Sequence, residues 1–135
     1  MRKLPVLVVA ASVAAVSVGA LTAGAVTTKK TVAVGLNEFN ILPAAQGAPA
    51  GKVTFSVKNT GKVEHEFVVL KTAKPAGSLL KGAEAAEDGN VGEIGSVKPG
   101  ETKKLTLTLK AGHYSLLCNL PGHYKAGQFV DFYVR

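Results

Sequence analysis

Residues 102–110 read TKKLTLTLK, with Leu105, Leu107 and Leu109 separated by threonines. A period of two puts the leucines on one face and the polar residues on the other, the pattern of a half-buried strand. The same alternation recurs at 31–39 (TVAVGLNEF), 52–59, 65–72, 112–118 and 127–135. No segment of residues 26–135 sustains a helical period. Turn signals separate the runs: NTG at 59–61, KPG at 98–100 and LPG at 120–122. Many short strands so punctuated predict an all-β fold, an antiparallel β-sandwich. The stretch 74–96, rich in glycine and acidic residues, reads as a crossover connection with one helical turn around Leu79 to Glu87.

The first residues follow a different rule. Arg2 and Lys3 precede a nearly wholly apolar run, Leu4 to Leu21, and Ala23-Gly24-Ala25 is a small-x-small cleavage site. This is the pattern of a secretory signal peptide over 1–25, with retention as an N-terminal membrane anchor as the alternative. The expected product is an exported domain over 26–135, periplasmic or at the cell surface, touching a membrane only if the leader is kept. Loss of Arg2 and Lys3 lowers the formal charge from +7 to +5. The lysines are scattered and tryptophan is absent, so nucleic-acid binding is excluded as the expectation. Weak steering toward an acidic protein partner fits better.

The chain has one cysteine, Cys118. A lone thiol in an oxidising compartment is prone to oxidation unless something occupies it, and it cannot form an internal disulfide. In CNLPGHYKAGQ, residues 118–128, the cysteine closes one strand and Gln128 opens the next. The loop between them can present Cys118, His123 and Gln128 to a single centre. His65, at the head of a neighbouring strand, is the candidate fourth ligand. Two imidazoles and a thiolate with a distant weak donor form the type 1 copper pattern. Zinc is the alternative occupant, although its structural sites usually carry two or more thiolates.

At these residues the chain resembles the cupredoxins, small blue copper proteins, especially exported plastocyanin-like and sulfocyanin-like members. GHYSLLCNLPGHYKAGQFVDFYV resembles their copper loop and flanking strands, NTGKVEHEFVV the strand of the first histidine, and VAVGLNEFNILP the opening strand. The resemblance implies a Greek-key sandwich and one copper ion bound by His65, Cys118 and His123. Most such relatives have methionine where this chain has Gln128, a residue that stellacyanins use in a similar loop. The one methionine is Met1, so the axial position falls to Gln128, to a backbone carbonyl or to nothing.

The expected activity is carriage of single electrons between a protein donor and acceptor by a monomer, with no substrate turned over. A copper-binding or delivery protein that does not cycle redox states is the alternative. Backbone N–H groups near His65, at Asn59 or Glu66, are expected to reach the cysteine sulfur. Glu66 reads as a solvated charge and His113 as a surface histidine. Tyr114 is expected to pack without chemistry, and Tyr124 to lie at the rim of the loop.

Overall fold

The computed structural model describes residues 30–135. The leader or anchor expected over 1–25 lies outside the described residues. Eleven strands are formed: β1 (Thr31–Asn37), β2 (Asn40–Pro43), β3 (Gly47–Ala48), β4 (Gly51–Asn59), β5 (His65–Lys71), β6 (Leu80–Lys81), β7 (Glu84–Ala85), β8 (Asn90–Val97), β9 (Thr102–Leu109), β10 (Gly112–Leu117) and β11 (Phe129–Val134). One sheet has the order β2-β1-β4-β9, the facing sheet β3-β11-β10-β5-β8, and β6 with β7 makes a separate small hairpin. The all-β sandwich expected from the alternation is present, with two departures from antiparallel pairing. β1 runs parallel to β4, and β3 runs parallel to β11.

The alternation does its work between the sheets. Val32, Val34 and Leu36 of β1, Val53, Phe55 and Val57 of β4, and Leu109 of β9 face Phe67, Val69, Leu116, Phe132 and Val134 across one core. Phe55 sits at its centre, with ring centroids 5.3 Å from Phe67 and 5.5 Å from Phe132. Each such side chain contributes about 1.5–3 kcal/mol by leaving water.

Three boundaries differ from those the sequence predicts. β1 stops at Asn37 instead of running to 39, because the chain reverses there and returns as β2. Asn40 Nδ2 donates to Asn37 Oδ1 at 2.8 Å and ties the turn. The crossover 74–96 contains a full strand, β8, which pairs with β5 at the sheet edge. Its sequence, NVGEIGSV, hides this: Gly92 takes the place of an apolar residue because a Cβ there would come within 2.6 Å of Leu107 Cδ2. The helical turn in that segment is a short 3-10 turn at Ala76–Ser78, ahead of the predicted 79–87.

β5 is buried on both faces, which explains its unbroken FVVL run. Phe67 and Val69 face the sandwich, whereas Val68 and Leu70 pack under Leu79 and Ala85 of the crossover, together with Leu117 and Tyr124. The crossover is therefore a cover over the outer face of β5, and it reaches the loop that follows β10.

Candidate metal centre

His65 is placed by the turn between β4 and β5. Asn59, fully buried, holds this turn through three bonds: its Nδ2 donates to the carbonyls of Val63 and Val97, each at 2.7 Å, and its Oδ1 accepts from Gly61 N–H at 2.8 Å. The first residue of β5 is thereby fixed with its imidazole facing the sandwich interior, where it has no solvent exposure.

The other candidates come from the loop between β10 and β11. Cys118 and Gln128 lie one residue beyond the strand ends, and the Cys118 N–H donates to the Gln128 carbonyl at 3.1 Å, which closes the loop at its base. Inside it, His123 N–H donates to Leu120 C=O at 2.9 Å and Gln128 N–H to His123 C=O at 3.2 Å. Gly122 (φ +81°) and Gly127 (φ +104°) adopt left-handed conformations that these turns need and that a side chain would strain. Nine residues are thus wound so that both ends and the middle point at one place.

That place is formed by Nδ1 or Nε2 of His65 and His123 and Sγ of Cys118, whose ligating atoms all lie within 4.8 Å of one another. Cys118 Sγ is 3.4 Å from His123 Nδ1 and accepts from the Glu66 N–H at 3.2 Å. Of the two backbones expected to reach the sulfur, Glu66 does so, whereas the Asn59 N–H goes to the Glu101 carbonyl. Burial pushes the Cys118 thiol above its ordinary pKa, against the lowering effect of the N–H groups of Glu66 and Leu120. Burial, helped by the neighbouring His65, lowers that of His123 and favours a neutral imidazole.

Two buried atoms here lack any protein partner: His65 Nδ1 and Gln128 Oε1. Leaving such atoms unpaired costs about 1–3 kcal/mol each, and both belong to side chains that a metal would engage. Gln128 is oriented for this. Its Nε2 donates to the carbonyls of Asn37 and Asn40 at 2.9 and 3.3 Å, which turns Oε1 the other way, and its amide is close enough to bear on the His123 ring. A soft sulfur donor and two imidazoles gathered in one place, with the Gln128 amide oxygen as a candidate fourth donor, fit a single copper ion.

The comparisons with known proteins point to copper as well. The sequence matches the Cupredoxin-like domain over residues 6–130. The chain belongs to the cupredoxin family. It is 34% identical over 83 residues to the copper-resistant cuproprotein CopI of Vibrio cholerae, a match covering 58% of this chain and 48% of that protein. The chain thus spans about half the length of that relative. To the copper-resistant cuproprotein CopI of Pseudomonas aeruginosa it is 28% identical over 138 residues, covering 78% of this chain and 76% of that one. In structure it is similar to reduced auracyanin from Roseiflexus castenholzii, with a TM-score of 0.60 at 22% identity over 80% of this chain and 98% of the other. Rusticyanin from Thiobacillus ferrooxidans gives a TM-score of 0.60 at 21% identity, covering 80% and 79%. Family and cluster together point to one copper ion as the cofactor.

In this cupredoxin the turn between β1 and β2 borders the cluster, although the alternation predicts a single strand over 31–39. Asn37 and Asn40 hold Gln128, Phe39 packs edge-on against His123 at 5.0 Å between centroids, and Glu38 reaches His65. Glu38 Oε1 accepts from the N–H groups of Lys62 and Val63 at 2.8 and 2.9 Å and lies 3.2 Å from His65 Nε2. Those two backbone donors hold the carboxyl well down, at about 2. The one available signal was the polar run N-E-x-N inside an otherwise apolar strand.

Other expectations need correcting. Glu66 is half-buried instead of freely solvated, and its carboxylate accepts from the Asn119 N–H at 3.3 Å. His113 is not a loose surface residue: it joins the Thr72 carbonyl through Nδ1 and Asp131 Oδ1, at 2.8 Å, through Nε2. Tyr114, by contrast, packs in the core as expected, and its hydroxyl donates to the Lys110 carbonyl at 2.7 Å. Tyr124 is buried under the crossover instead of standing at the rim. Its hydroxyl donates to Ala76 C=O at 2.6 Å and accepts from Leu79 N–H at 2.8 Å. Asn119 does the same beside Cys118, exchanging bonds with the Ala85 N–H and carbonyl at 2.7 and 3.1 Å. The residues next to two ligand candidates thus pin the copper loop to the crossover.

Proposed function

We propose that this cupredoxin is an exported carrier of single electrons, with His65, Cys118 and His123 as the equatorial copper ligands and Gln128 Oε1 as the axial donor. The observation that carries the reading is the cluster of His65, Cys118 and His123, supported by two buried atoms without a hydrogen-bond partner, His65 Nδ1 and Gln128 Oε1. A bound copper ion would supply the one-electron chemistry, alternating between Cu(II) and Cu(I). The protein holds the donors in one arrangement for both states. The loop is closed by its own backbone bonds and pinned to the crossover, and Gln128 is held by two carbonyls.

Access is confined to one edge. His65, Cys118 and Gln128 are fully buried, and His123 alone is part-exposed, flanked by Leu120, Pro121 and the exposed ring of Phe39. Electrons enter and leave through the His123 imidazole, across a small apolar contact suited to a transient redox partner. With the interior donors enclosed, the site carries electrons and turns over no substrate. The monomer, export by the 1–25 leader and an acidic partner for the lysine-rich surface belong to the same proposal.

A second reading is favoured by the two sequence relatives, which are copper-resistant cuproproteins. In it the same four residues bind copper for tolerance without cycling electrons. One experiment separates the readings. The purified domain is loaded with Cu(II), the intense thiolate-to-copper visible band is recorded, and its bleaching and recovery under reductant and oxidant are followed. Reversible cycling is the expected result; a stable band that does not cycle favours storage, and the absence of the band overturns the type 1 site.

A further inference from the structure

Resting on that copper reading, we infer that Glu38 is a positioning residue of the centre: it fixes which nitrogen of His65 faces the metal, and its charge favours the oxidised ion. His65 Nε2 lies 3.2 Å from Glu38 Oε1. An ionised carboxylate only accepts hydrogen bonds, so the imidazole proton resides on Nε2. The lone pair is then left on Nδ1, the buried atom that has no protein partner.

The carboxylate is built into place from three directions. The same oxygen accepts from the N–H groups of Lys62 and Val63 in the turn that delivers His65. Gly61 leaves room for it, since a Cβ there would lie 2.3 Å from Oε1 and 2.8 Å from the carboxyl carbon. Glu38 itself comes from the β1–β2 turn, whose neighbours Asn37 and Phe39 touch Gln128 and His123. One short turn therefore sets the orientation of the axial donor, the packing of one imidazole and the tautomer of the other.

A carboxylate one imidazole away from a metal raises the basicity of that ligand and places negative charge near the ion. The divalent state gains more from both effects than the monovalent one. Glu38 therefore lowers the reduction potential relative to a neutral residue in the same place.

The test uses Glu38→Gln and Glu38→Ala. The glutamine oxygen replaces Oε1 and retains all three acceptor contacts while removing the charge, whereas alanine removes both. Two measurements are made on each protein: the potential, by redox titration of the copper band, and the His65 tautomer, by long-range proton–nitrogen NMR of the metal-free domain. Expected are a single Nε2–H tautomer in the wild type, the same tautomer with a raised potential in Glu38→Gln, and a mixture of tautomers in Glu38→Ala. A wild-type Nδ1–H tautomer overturns the orienting role. An unchanged or lowered potential in Glu38→Gln overturns the electrostatic one. If Glu38→Ala fails to fold, the wild type and Glu38→Gln decide both points. Absence of a copper band in the wild type defeats the electron-carrier reading and the electrostatic role with it, while the metal-free tautomer still decides the orienting role.

Discussion

Gln128 donates its amide to the Asn37 carbonyl at 2.9 Å, across 91 positions of sequence, while its Oε1 is buried without a hydrogen-bond partner. An amide oxygen is a harder donor than a thioether and favours Cu(II), so in the proposed axial role Gln128 would act on the potential in the same direction as Glu38.

Replacing Gln128 by methionine is expected to raise the potential. A tenfold change in the relative affinity for the two oxidation states corresponds to about 59 mV for one electron, and a rise of at least that size is predicted. Redox titration of the visible band checks it. An unchanged value would mean that the side chain does not reach the metal.

The exposed edge of the site gives a kinetic prediction. Phe39→Glu and Leu120→Asp put charge beside His123, where two copies must approach to exchange an electron. The self-exchange rate is expected to fall ~tenfold, which equals about 1.4 kcal/mol in the barrier. NMR line broadening in mixtures of reduced and oxidised protein measures the rate, and an undiminished value would move the electron port elsewhere.

Tyr124→Phe keeps the buried ring and removes its hydroxyl, stranding the Leu79 N–H and the Ala76 carbonyl under the crossover. A loss of about 1–3 kcal/mol is expected in urea unfolding of the metal-free domain. Amide exchange at Leu79 should accelerate along with it; exchange that stays as slow as in the wild type would show that the crossover is held by packing alone.

Asn59→Ala removes three bonds from the turn that carries His65, one of them the buried bond to the Val97 carbonyl. The expected cost is about 2–3 kcal/mol, with faster loss of copper to a chelator. A stable variant that nonetheless releases copper quickly would assign Asn59 mainly to the site; equal copper retention would assign it to the fold.

Acid sensitivity has a worked sign. Glu101 accepts from the Lys98 N–H at 2.7 Å, and this bond, followed by nearby Lys103, holds its pKa below the ordinary carboxylate value. A depressed folded-state pKa adds stability above the unfolded value of 4.5 that disappears as pH falls through the folded one. Glu101→Gln should therefore lower the melting temperature slightly at pH 6, with the difference from the wild type narrowing as pH falls below 4.5. Melting curves across this range check it.

What the sequence determined by itself follows from local periodicity and donor chemistry. The period-two runs defined most strands, and the Cys118 loop with an upstream His65 named the three residues whose ligating atoms the structure brings within 4.8 Å of one another, two of them closely spaced around one turn that needs little tertiary help to converge. The tertiary structure decided the rest. β8 escaped the periodicity because an edge strand with Gly92 packed under Leu107 needs no apolar stripe. Glu38 and Asn37 escaped because nothing local shows that a turn between β1 and β2 will lie over a histidine 27 residues ahead and a glutamine 91 ahead. Such contacts are set by how the two sheets pack, which brings the turn between β1 and β2 against His65, His123 and Gln128.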